Sequence, residues 1–190
     1  MYRFFRGLSA ATALAAIAAC SGADRVAISP PLYRGHPQIV ELSVEFPAKS
    51  PWDGKTVPAT ARCRAKGSKG KTPPLLVSGI PREANVILLE INDISEPYLA
   101  EAGGMGVIGF NHDGSDWLTL SPVDGETADL PDFAFVEKDS GDIVQRPRGY
   151  LPPCGSGHSY EARVWAVKRT DKDPSRDVIL GIGEINLGRD

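Results

Sequence analysis

Apolar and polar residues alternate through Val40-Glu41-Leu42-Ser43-Val44-Glu45-Phe46, the period of two that marks a half-buried strand. Thr60 to Ala65 alternates as well, with Ala61, Cys63 and Ala65 on one face and Thr60, Arg62 and Arg64 on the other. Val86-Ile87-Leu88-Leu89-Glu90-Ile91 is nearly continuous apolar sequence, as a central strand covered on both faces requires. Val107 to Phe110, Phe133 to Val136, Tyr160 to Val167 and Val178 to Leu187 are further strand candidates. Turn signals at Asp53-Gly54, Asp113-Gly114, Asp124-Gly125 and Ser140-Gly141 separate them at short intervals. Beyond the N-terminal region no window carries a helical period over ten residues; Ser95 to Ala102 predicts only a short helix. There is no internal repeat. The pattern predicts one mainly β domain.

The first residues belong to a different kind of segment. Arg3 and Arg6 make a positive start, and Gly7 to Ala19 form a short, alanine-rich apolar run, the layout of an export signal over residues 1–19. Thirteen residues fall short of the roughly 20 a membrane-spanning helix needs. The run ends in Ile17-Ala18-Ala19-Cys20, which resembles a bacterial lipobox. That resemblance implies cleavage before Cys20, lipid on Cys20 and attachment to the cell envelope. With Ser21 next, it implies the outer membrane facing the periplasm in a Gram-negative host. An ordinary secretory signal cut nearby is the alternative. Residues 20–38, polar and carrying Ser29-Pro30-Pro31 and His36-Pro37, then read as a tether, and 39–190 as the domain.

Composition narrows the function. A formal net charge of −3 argues against a nucleic-acid partner. The 20 glycines and 16 prolines are dispersed between apolar runs, as in a loop-rich β protein rather than a disordered one. Once Cys20 is set aside, Cys63 and Cys154 remain, and an even remainder in an exported chain fits one disulfide. Two separate buried thiols fit equally. Arg64-Ala65-Lys66-Gly67-Ser68-Lys69-Gly70-Lys71 reads as a solvated basic loop, with anion binding as the alternative.

The chemistry concentrates in Gly149-Tyr150-Leu151-Pro152-Pro153-Cys154-Gly155-Ser156-Gly157-His158-Ser159-Tyr160. Prolines fix φ, glycines permit close backbone approach, and the bare amides between them can face an anion. The loop delivers a histidine and a tyrosine to the start of a strand. Two other pieces precede it: Thr72-Pro73-Pro74-Leu75 with Ser78-Gly79-Ile80-Pro81, and Asn92-Asp93-Ile94-Ser95-Glu96-Pro97 after the apolar strand. In this order and spacing the three resemble the phosphatidylethanolamine-binding protein family, which includes the Raf kinase inhibitor proteins. The resemblance spans about Ile39 to Leu187.

The resemblance implies a central antiparallel β-structure, few short helices, and a pocket at one end for phosphate or a phosphorylated lipid headgroup. Asp93 matches the family's first acidic residue, His158 the loop histidine and Tyr160 the tyrosine two residues on, with Pro153 and the amides near Gly155 and Gly157 lining the wall. An imidazole and a phenol can donate to a phosphate oxygen, and a carboxylate can orient the imidazole or receive an ammonium group. Asp93 as a turn cap and Tyr160 as a core aromatic are the competing readings.

The chain also departs from the family. Ser95 stands where the second acidic residue belongs, and Gly106-Val107 where a His-Trp pair belongs. Cys154 to His158 is shorter than its counterpart, and Thr170 to Asp177 is too short for the family's C-terminal helix. His112 lies close in sequence to the missing histidine, but strand parity points it to the other face.

Cys154 and His158 suggest a thiol nucleophile and its base, but no third orienting group is identifiable. The histidines lack metal-ligand spacing, and there is no nucleophile elbow or phosphate-cradling loop. The expectation is a non-enzymatic, envelope-anchored binding protein that needs neither cofactor nor metal. Its partners would be a phosphate or phospholipid headgroup and, through the lipid, the membrane. A protein-interaction module, an inhibitor of an envelope enzyme or kinase with a vestigial pocket, is the alternative.

Overall fold

The computed structural model describes residues 34–171 and 173–190; the expected signal segment, Cys20 and most of the expected tether lie outside them. Nine strands follow in chain order: β1 (Arg34–Glu41), β2 (Ser43–Glu45), β3 (Leu75–Ser78), β4 (Val86–Asp93), β5 (Gly106–Asn111), β6 (Trp117–Leu120), β7 (Ala134–Lys138), β8 (Ser159–Lys168) and β9 (Val178–Arg189). Six form one sheet in the order β1-β9-β8-β4-β5-β7, and three form a second, β2-β3-β6. Every pairing between strands is antiparallel except β1 with β9. The expected mainly β, antiparallel-dominated structure is present.

β4 is buried along its whole length, in keeping with its unbroken apolar sequence. Ile87, Leu89 and Ile91 face the main core, shared with Leu75, Val77 and Leu120 of the small sheet. Val86 and Leu88 face a smaller cluster with Val107, Trp165, Val167 and Ile179 on the other side. Glu90 on that second face is satisfied by the Trp165 indole N–H at 3.0 Å and the Asn92 amide at 3.0 Å. The central strand therefore ends in a fixed position, which matters because Asp93 is its last residue.

Three local expectations change. Thr60–Ala65 is not a strand but two 3₁₀ turns, Ala59–Ala61 and Arg64–Lys66. Its amides go to the Pro58 and Pro153 carbonyls instead of a ladder, and the alternation survives only in that Ala61 and Cys63 are buried. Ser95–Ala102 is a run of turns rather than a short helix, with the Glu96 amide on the Asp93 carbonyl and the Leu99 amide on the Glu96 carbonyl; Pro97 has no amide to give. β1 begins at Arg34, so chain expected to be tether adds a strand to the large sheet.

Candidate functional site

β4 and β8 run antiparallel with Asp93 directly opposite Tyr160. His158 sits two residues before that pair, so the loop that enters β8 lays its imidazole beside the Asp93 carboxylate. Nδ1 of His158 lies 2.7 Å from Oδ2 of Asp93. Oδ1 of the same carboxylate accepts from the Ser95 amide at 3.0 Å, the turn cap that was the competing reading. Both roles are therefore filled by one side chain. An ionised carboxylate can only accept, so the contact places the proton on Nδ1. Nε2 then has no protein partner among the described residues, while the ring is 30% exposed.

Four ties hold the loop under that histidine. Cys63 and Cys154 are joined in a disulfide with Cα atoms 5.4 Å apart, an arrangement that leaves Cys154 no free thiol. The Pro153 carbonyl accepts from the Cys63 amide at 3.0 Å, and Pro153 itself is buried. Tyr160 is fully buried; its hydroxyl accepts from the Gly155 amide at 2.9 Å and the Cys154 amide at 3.2 Å. Finally Asp190 pairs with the strand entrance, its carbonyl accepting from the Gly157 amide at 2.7 Å and its amide donating to the His158 carbonyl at 2.9 Å. The Asp190 carboxylate is in turn held by Arg62.

These ties alter the expected division of labour. The amides expected to face an anion are engaged within the protein, and Tyr160 braces the loop rather than presenting its hydroxyl outward. Burial pushes the Tyr160 phenol up to about 12, with the Asp93 charge acting in the same direction. Gly155 contributes through its missing side chain: a Cβ there would overlap the His158 ring.

A cavity of about 200 Å³ opens beside the Asp93–His158 pair. Leu99, Met105 and Leu151 form its apolar part, and Glu96, Tyr98, Asp142 and Gln145 its polar mouth. It is smaller than the roughly 300–1,000 Å³ typical for drug-sized ligands, a headgroup-sized space. The mouth is acidic. The Tyr98 phenol is raised by lost hydration first and then by the charges of Asp142, Glu96 and Asp93. Sequence reasoning did not single out Glu96, Tyr98 or Asp142 as cavity residues. Asp142 follows a Ser-Gly turn signal, and nothing local shows that this turn returns to the mouth of a cavity 50 residues back.

The positions at which the sequence differs from the pattern it resembles have physical accounts. The Ser95 hydroxyl accepts from the Ser159 amide at 3.0 Å, tying β4's exit to β8's start. Gly106 has φ +117, and a Cβ there would lie 2.9 Å from the Tyr150 Cα, so the backbone here favours glycine over the histidine of the resembled pattern. Tyr150 is fully buried, its hydroxyl without a partner among the described residues, and burial holds its phenol far above the ordinary range. His112 lies beyond the far end of β5 from the site, its amide on the Asn85 carbonyl at 3.0 Å and its Nε2 2.9 Å from the Ser115 carbonyl.

No model of a known family matches the chain, and no curated protein does. Among solved structures it is similar to a candidate phosphatidylethanolamine-binding protein homologue from Chlamydia trachomatis D/UW-3/CX. The identity is 20% and the TM-score 0.47, over 79% of this chain and 97% of that one.

Proposed function

We propose that this chain is a non-enzymatic, envelope-anchored binding protein whose cavity takes a phosphorylated amine headgroup of the phosphoethanolamine kind. The observation that carries this reading is the Asp93–His158 pair at the edge of a small cavity with an acidic mouth. In its imidazolium form His158 donates Nδ1–H to Asp93 and Nε2–H to a phosphate oxygen. Glu96 and Asp142 at the mouth suit an ammonium group, and they disfavour a bare anion because their charges repel it. The zwitterion answers both. Anchoring would come from lipid on Cys20, as the Ile17-Ala18-Ala19-Cys20 run suggests.

Calorimetric titration with O-phosphoethanolamine, inorganic phosphate and ethanolamine tests it. The zwitterion binds more tightly than either fragment. His158→Ala weakens it about tenfold or more, the value of one charge-assisted hydrogen bond. The Glu96→Gln/Asp142→Asn variant loses the preference over phosphate. Absence of saturable binding by the zwitterion overturns the reading.

One observation favours a second reading, a protein-interaction module with a vestigial pocket. The Cys154, Gly155 and Gly157 amides are all engaged inside the protein, which leaves His158 as the main donor toward an anion. A specific partner recovered from envelope extract, insensitive to His158→Ala, supports it.

A further inference from the structure

The basic loop of residues 64–71 is joined to the His158 loop by the Cys63–Cys154 disulfide, just ahead of Lys66 on one side and of Ser156 on the other. The 3₁₀ turn Arg64–Lys66 starts directly after Cys63. It is closed by the Lys66 amide on the Cys63 carbonyl at 3.0 Å and by Gly67 at φ +81, a left-handed cap that suits glycine. Lys66 is therefore turned back toward the disulfide, and its Nζ donates to the Ser156 hydroxyl at 3.1 Å. Ala65 and Gly155, the sequence neighbours of those two residues, both line the cavity together with His158. Gly155 lies against the His158 ring itself, since a Cβ there would stand 2.2 Å from Nδ1.

Lys66 differs from its neighbours in how its charge is met. Arg64 faces Glu126 and Lys71 faces Asp124. Lys66 is exposed and has no carboxylate partner among the described residues. A neutral hydroxyl is a weaker acceptor for an ammonium than a charged oxygen, so a phosphate within reach displaces it. The flexible four-carbon stem allows that move.

The site needs such a group. The Cys154, Gly155 and Gly157 amides are engaged inside the protein, and Gly106 has no side chain to offer. A phosphate that accepts from His158 has further charged oxygens without a donor. We infer that Lys66 is a second phosphate-binding residue of the cavity, its ammonium passing from the Ser156 hydroxyl to one phosphate oxygen while His158 donates to another. This rests on the headgroup reading and divides its ligand: phosphate to Lys66 and His158, ammonium to Glu96 and Asp142. The basic loop thus supplies, through the disulfide, a cation that the Gly106 position lacks.

Calorimetric titration of the full chain at low salt with O-phosphoethanolamine, inorganic phosphate and ethanolamine tests the assignment. Lys66→Gln weakens the two phosphate-bearing ligands about fivefold, the upper end for an exposed ion pair, and leaves ethanolamine as in the wild type. Lys66→Arg keeps most of the affinity, because it keeps the charge. Lys69→Gln removes the same charge from the same loop and binds as the wild type does. Equal binding of O-phosphoethanolamine by wild type and Lys66→Gln overturns the role of Lys66 and leaves the headgroup reading standing. No saturable binding by the wild-type chain overturns both. A loss as large in Lys69→Gln overturns the role of Lys66 too, since it reports the net charge of the loop. So does a loss that extends equally to ethanolamine, since it reports a disturbed cavity.

Discussion

Asp93 and His158 stand 65 residues apart in the chain and 2.7 Å apart in the fold, joined across the paired ends of β4 and β8. Everything packed around the loop from Pro152 to Tyr160 serves to keep that distance: a disulfide, a buried phenol and a backbone pairing with Asp190. The histidine is thus held by the fold on one ring nitrogen and left to the cavity on the other.

Gly155 should tolerate no side chain. A Cβ there overlaps the imidazole, so Gly155→Ala is expected to rotate His158 off Asp93 while the sheets remain intact. Headgroup binding falls about tenfold, matching His158→Ala, with an unchanged far-ultraviolet spectrum. Full binding by Gly155→Ala contradicts the geometry.

The disulfide closes a loop of 91 residues and should contribute about 3–4 kcal/mol. Cys63→Ser/Cys154→Ser is expected to lower the melting temperature by roughly 10 °C for a domain of this size. Because Cys154 also lines the cavity, the double variant should bind headgroup more weakly even where it is fully folded. Scanning calorimetry and titration at 15 °C separate the two effects.

Alkaline stability carries the mark of Tyr160. Its phenol is raised to about 12 in the fold, chiefly by burial, and ionises near 10 in an unfolded chain. The folded state therefore keeps a proton that the unfolded state releases. This contribution is complete below about pH 10 and is lost as pH rises through about 12. Absorbance at 295 nm, wild type minus Tyr160→Phe, should show no ionisation step near pH 10. A step there contradicts the buried, doubly hydrogen-bonded hydroxyl.

Restoring the histidine that the resembled family carries should fail. Gly106→His places a side chain at φ +117 against the Tyr150 backbone, and strain of this kind costs roughly 1–3 kcal/mol before the overlap is counted. Chemical denaturation should show the loss, with no gain in headgroup affinity. A stable variant that binds more tightly contradicts this account of the position.

What could be read from the sequence follows from the range of the interactions. β4 and β8 were legible because their burial is written in consecutive side chains, and His158 and Asp93 because they sit in motifs next to those strands. β3 and β6 were not identified. Pro73-Pro74 makes the lead into β3 read as loop, and Leu75 and Val77 are the only fully buried positions in a four-residue strand. The alternation at Thr60–Ala65 misled because burial alternates there without a ladder partner. Tyr160's role depends on where its hydroxyl lands, and the acidic mouth depends on Asp142 meeting Glu96 across 46 residues; neither has a local signal.

Histidine-selective nuclear magnetic resonance during a titration with O-phosphoethanolamine reads the Asp93–His158 pair itself. The His158 Nε2 and Cε1 resonances should shift saturably, those of His112 should not, and the shift should be lost in Asp93→Asn. Resonances of His158 that stay in place while the ligand binds, or at every ligand concentration, would contradict the phosphate role of His158.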